Sequence, residues 1–164
     1  MHQYKVQDIT KPFNLNKTFS HLICILAFQN LEFPAEMIKN ASLHMTSKST
    51  LLLVLNHPVF RIPRLTSWGI DPKSKTQFRR VDKYMSPIEI PILTNPGKGE
   101  RSEETWSFHY PISAYSEMLF DNGFVIQKIE EWVSDKKSYG GAAQMENKSR
   151  AEFPMFMAIL AYVI

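Results

Sequence analysis

The informative hydrophobic pattern is a run without polar alternation, Leu51-Leu52-Leu53-Val54-Leu55, that ends abruptly in Asn56-His57-Pro58-Val59-Phe60-Arg61. A strand that is apolar on both of its faces is covered on both, which is the signature of a strand inside a parallel α/β sheet. Pro58 donates no ladder hydrogen bond and steers His57 away from helix, so the strand stops there. Ligands of such sheets bind outside the carboxyl ends of the strands, which places Asn56, His57 and Arg61 at a crevice mouth.

The flanking patterns fill in the rest. Gln3 to Val6 reads as a short strand ending at Gln7-Asp8, followed by the turn-like Lys11-Pro12-Phe13-Asn14. Thr18 to Ala27, with its run Leu22-Ile23-Cys24-Ile25-Leu26-Ala27, reads as a second buried strand with Phe28-Gln29-Asn30 at its tip. Pro34 suits the first turn of a helix, and Ala35 to Leu43 places Met37, Ile38 and Ala41 at helical spacing. Strand, helix, strand makes a right-handed βαβ unit. Further on, Ser113 to Phe120 reads as a helix capped by Ser113 and closed by Asn122-Gly123, with Tyr115, Met118 and Leu119 on one face. Phe124 to Trp132 is a half-polar strand suited to a sheet edge. Ser134 to Arg150, with Gly140-Gly141, reads as a loop, and Phe153 to Val163 as a last strand pairing antiparallel with its predecessor.

Composition changes this picture in one place. The 164 residues, 44% hydrophobic, suffice for one domain spanning 1–164. The net charge of +3 resides entirely in residues 57–111, which hold nine Lys/Arg and six Asp/Glu together with seven of the ten prolines. This segment reads as an insert between a strand and a helix. The lone Cys24 excludes an internal disulfide and fits a reducing compartment. No apolar segment reaches the roughly 18–20 residues of a membrane span, and the start lacks a signal-peptide pattern, so a cytoplasmic protein with no membrane partner is expected.

In order, Tyr4-Lys5-Val6-Gln7-Asp8, Thr18 to Asn30, the Leu51 strand, Gly123-Phe124-Val125-Ile126 and Phe153 onward resemble the class I S-adenosylmethionine-dependent methyltransferases of the type-11 group. Asn56 to Arg64, Ser67-Trp68-Gly69 and Phe108-His109 are similar to one bacterial subgroup of small methyltransferases. The resemblance implies a Rossmann-like sheet with an antiparallel C-terminal strand pair and residues 57–111 as a lid over the crevice. It also implies S-adenosyl-L-methionine as cofactor and a small-molecule methyl acceptor.

The family's glycine-rich loop has no counterpart here: glycines stand at 69, 97, 99, 123, 140 and 141, and none follows a strand and opens a helix. The expected sheet therefore lacks its first βαβ part, roughly 30 residues or more, and Met1 reads as a truncated start. Gly97-Lys98-Gly99 reads as a polar loop.

Carried over residue by residue, the resemblance places Asp8 and Ile9 at the adenine, and Leu26, Ala27 and Gln29 along the methionine part of the cofactor. For Asp8 a plain turn-forming role stands beside this one, and for Gln29 and Asn30 plain loop capping. Asn30, Phe60, Arg61, Trp68 and Tyr84 are the substrate-binding candidates, because cations hold anionic groups and aromatics wall apolar ones. Arg64, Arg79 and Arg80 add charge to the same insert. His57 and His109 are the candidate general bases, since imidazole accepts a proton near neutral pH; a structural role stands beside each.

No HExxH, CxxC or helical His pair supports a metal site, and no GxSxG elbow supports a hydrolase. The second functional class is a non-catalytic remnant or binding module that uses the arginines and aromatics to hold a partner. Six acids interleave the insert's cations, which argues against nucleic acid. Oligonucleotide titration at two salt concentrations checks that exclusion; flat or absent binding is expected, whereas binding that falls steeply with salt would restore nucleic acid as a partner.

Overall fold

The computed structural model describes residues 3–94, 97 and 103–164. Its centre is a mixed four-stranded sheet in the order β1-β2-β8-β7, with β1 at Phe19–Ile25, β2 at Met45–Asn56, β7 at Phe124–Trp132 and β8 at Phe156–Val163. Only β1 and β2 are parallel, and both β2–β8 and β7–β8 are antiparallel. The expected central strand is therefore central, but it pairs in parallel on one side only.

Alternation along β2 explains the layering. Leu51, Leu53 and Leu55 point to one face and are buried, and in register with them are Cys24 of β1 and Met157, Ile159 and Ala161 of β8. Against this face pack Met37, Ile38 and Ala41 of α1 (Pro34–Leu43) and Tyr115 and Leu119 of α2 (Ile112–Asp121). Each fully buried aliphatic side chain in such a layer contributes about 1.5–3 kcal/mol.

The opposite face differs. Ile23 and Ile25 of β1 are 61% exposed, so the Leu22 run is an edge strand with one wet face rather than a strand buried on both. Its alternation is masked in the sequence because both faces carry apolar residues.

Several boundaries move. Residues 3–7 form no strand, so Asp8 does not end one. Ser113 does not cap α2, which begins at Ile112 after Pro111; Tyr84 supplies the cap from outside, its hydroxyl accepting from the Ile112 N–H at 3.1 Å. The C-terminus follows expectation, with Gly123 in the left-handed conformation at φ 79°. The expected loop at 134–150 contains a helix, α3 (Ala143–Glu152). Its apolar periodicity is too weak to reveal it. Polar pairing supports it instead: Glu146 accepts from Ser138 and Arg150, and Asn147 bonds the Ser138 backbone through both ends of its amide.

Residues 57–111 build two hairpins. The first joins β3 (Thr66–Asp71) to β4 (Thr76–Val81), and the second joins β5 (Ile88–Leu93) to β6 (Glu104–His109). Gly69 faces Phe78 across the first hairpin, and a Cβ there would meet the ring at 2.3 Å, so the aromatic ring occupies the place of a side chain. The Gly97-Lys98-Gly99 segment lies largely outside the described residues. Among those described, no helix is long and apolar enough to cross a membrane.

Leu53→Ala should cost about 2–5 kcal/mol in urea denaturation, because it empties a fully buried position in the central strand. Ile25→Ala on the wet face should change stability by no more than about 0.5 kcal/mol.

Candidate functional site

The carboxyl ends of β1 and β2 lie side by side, and the chain is strained there. Leu26 takes a left-handed conformation at φ 52°, at a cost of about 1–2 kcal/mol for a residue with a side chain. Its N–H reaches back to the Val54 carbonyl at 2.7 Å, and its own carbonyl accepts from Gln29 Nε2 at 2.9 Å and Asn30 Nδ2 at 3.5 Å. That bond fixes the Gln29 amide, whose Oε1 is buried without a partner. An unpaired buried acceptor is uncommon, and its cost is of order 1–3 kcal/mol.

Gln29 borders a cleft of about 20 Å³, together with Asn56, Arg61, Ser107, His109 and Tyr115. β6 brings His109 there. Its Nε2 donates to the Tyr84 carbonyl at 2.7 Å, which leaves Nδ1 as the ring's lone pair. Burial pushes the His109 pKa below its ordinary value, and the Tyr84 carbonyl opposes this more weakly, so the ring is neutral at pH 7. Burial likewise pushes the Tyr115 hydroxyl well up, which keeps it protonated. Arg61 lies over the Phe156 ring at 4.5 Å, and no described carboxylate pairs with it. Partial burial lowers its pKa, though a guanidinium remains charged.

His57 has a different fate. Its Nδ1 accepts from the N–H groups of Val59 at 3.1 Å and Phe60 at 3.3 Å. The proton therefore sits on Nε2, which donates to Glu131 Oε1 at 2.7 Å. The ring is only 1% exposed and both nitrogens are engaged, so His57 rivets the end of β2 to β7 and offers no free base. Sequence reasoning missed Glu131 because it stands 74 residues away with no local signal.

The other insert candidates are held in internal packing. Phe60 and Trp68 each meet the Phe153 ring edge-on with centroids 5.4 Å apart. Arg79 lies over Trp68 at 5.0 Å and donates to the Phe60 carbonyl and to Thr66 Oγ1, both at 2.8 Å. Arg80 pairs with Asp82. Tyr84 holds His109 through its carbonyl and caps α2 through its hydroxyl, so it positions the site rather than lining it.

Asp8 and Ile9 do not line the cleft. The Asp8 carboxylate accepts from the Thr10 N–H at 3.0 Å and hydroxyl at 2.7 Å, and pairs with Lys11 at 3.3 Å. Those partners, Thr10 first, hold its carboxyl below the usual range, and they make a turn of the kind Asp side chains form locally. Asn40, buried in α1, donates to the carbonyls of Ile9 and Lys11 at 2.9 Å each and ties this turn to the helix. Tyr115 and Ser107 are the site residues that sequence reasoning passed over; Tyr115 reads as one more apolar position on a helix face.

No protein-family profile and no curated protein sequence matches the chain. Solved structures do. The chain is similar to an S-adenosylmethionine-dependent methyltransferase from Listeria monocytogenes at TM-score 0.72 and 20% identity, over 99% of this chain and 69% of that one. A second, from Mesorhizobium loti, matches at TM-score 0.71 and 21% identity, over 97% and 68%. The glycopeptide N-methyltransferase MtfA, in complex with S-adenosylmethionine, matches at 0.54 and 13%, over 96% and 63%. The chain thus shares the α/β fold of these methyltransferases over about two thirds of their length. Against that cofactor, the unpartnered Gln29 Oε1 at the strand tip fits a donor of a bound molecule, whereas Asp8 is satisfied within its own turn.

The depressed His109 pKa sets a pH dependence. Above about pH 6.5 folded and unfolded forms are both neutral at this residue and its contribution is fully present. As pH falls through the lower folded pKa the unfolded state binds the proton first and stability is lost. Urea melts from pH 7.5 to 5 should show this loss, and His109→Gln, which keeps a donor for Tyr84, should flatten it.

Proposed function

We propose that the chain is a methyltransferase domain that moves a methyl group to a small-molecule acceptor, with the cleft at the β1 and β2 tips as its reacting end. The observation that carries this reading is the pairing, in a methyltransferase fold, of an unpartnered buried acceptor on Gln29 with a neutral His109 whose Nδ1 is open. Gln29 and the exposed Leu26-Ala27 tip would hold S-adenosylmethionine, which when bound supplies an electrophilic methyl group.

Each residue then has a task. His109 Nδ1 takes the proton of the acceptor's nucleophile, and the Tyr84 carbonyl keeps its hydrogen bond to Nε2–H while the ring is charged. Proton transfer of this kind contributes about 10²–10⁴ in rate. Arg61, unpaired and near the cleft mouth, holds an anionic group of the acceptor. A cleft of about 20 Å³ admits a reacting group rather than a whole molecule, so the rest of the acceptor lies on the exposed Arg61 side, beneath the insert 57–111 acting as a lid. The binding-module alternative has less to work with, because Phe60, Trp68 and Arg79 are held in internal contacts.

Calorimetry with S-adenosylhomocysteine tests this. The chain should bind it, Gln29→Ala should weaken binding about three- to tenfold, and His109→Gln should leave affinity within about twofold. Absence of binding would show that these residues do not hold the cofactor without the glycine-rich loop that has no counterpart in this chain, which favours the binding-module alternative, and unchanged binding by Gln29→Ala would remove the cofactor assignment.

A further inference from the structure

A second cavity lies away from this cleft and shares no residue with it. It measures about 720 Å³ and opens between the β3–β4 hairpin and α3. That volume falls within the roughly 300–1,000 Å³ of small-molecule sites. Ile70, Met145 and Phe153 supply apolar walls, and Met145 is a side chain able to adapt to varied shapes. One side is pinned by the buried Ser149 hydroxyl, which lies 3.1 Å from the Gln77 carbonyl on the hairpin and 3.0 Å from Met145 on its own helix. Hairpin and helix are thereby held together beside the open space.

The charges specify the occupant. Lys75 comes from the hairpin turn and Lys148 from the helix, and Glu152 is the single carboxylate among the lining residues. No described ion pair engages any of the three. The rim therefore carries one net positive charge over an apolar interior. A cation is disfavoured by the lysines, and a compact dianion by Glu152 and by the apolar walls. Ammonium groups act as point charges and demand no planar, two-pronged partner.

We propose that this cavity binds an amphipathic monocarboxylate, with its apolar body between Ile70, Met145 and Phe153 and its carboxylate between Lys75 and Lys148. The site stands independently of the methyltransferase reading.

The test is a titration of the full chain, labelled at its methionine methyl groups, with octanoate, 3-phenylpropionate, octanol and inorganic phosphate. At least one carboxylate should shift the Met145 resonance saturably, and octanol should bind about tenfold more weakly than octanoate, the loss expected for one charge-assisted contact. Lys75→Gln and Lys148→Gln, both at exposed positions that leave the fold intact, should each raise the carboxylate Kd several-fold, and Met145→Trp should block binding. Equal binding of octanol and octanoate, phosphate as effective as the carboxylates, indifference to both lysine substitutions, or no carboxylate binding would each overturn the proposal.

Discussion

The structure depends on the two kinds of pairing that β2 makes. Parallel to β1 on one side and antiparallel to β8 on the other, it is the strand through which both halves of the sheet join. Its row of Leu51, Leu53 and Leu55 anchors α1 and α2 to the same layer. Because β1 and β2 run together, their carboxyl ends open at one edge, and every polar group of the candidate cleft hangs from those ends or is brought to them by β6 and α2. A change of one residue in the β2 register would turn the leucine row to the other face and move Asn56 and His57 with it.

Polar side chains of the candidate site sort themselves by whether the protein already satisfies them. His57 has two backbone donors on one nitrogen and a carboxylate on the other, and Asp8 is closed by Thr10 and Lys11. Gln29 and His109 have one atom tied and one left over. The tied atom sets the orientation of the free one, which is how a small site is preorganised without a large network. Tyr84 shows the same economy, since one residue orients His109 through its backbone and starts α2 through its side chain.

Much of the fold was legible because apolar runs, Pro34, Pro58 and Asn122-Gly123 act locally. The βαβ unit, the antiparallel strand pair and the edge position of β7 follow from such signals. What was not legible is carried by distant partners. The role of His57 depends on Glu131, the start of α2 on Tyr84, and α3 on Ser138, each a polar contact that periodicity does not encode. Gln29 was legible as a polar side chain at a strand tip, and His109 as an imidazole among aromatics just before α2. Phe60 and Trp68 were legible only as aromatics, because nothing local shows that Phe153, some 90 residues on, fills the space beside them.

Phe153 touches both regions of the molecule at once. It forms part of the large cavity's wall and also meets Phe60, the residue next to Arg61 and in contact with His57. A ring that walls one site and touches a neighbour of the other links the two thermodynamically whenever an occupant moves it. The linkage is reciprocal: whatever factor an occupant of the cavity imposes on anion affinity at Arg61, an anion at Arg61 imposes the same factor in return.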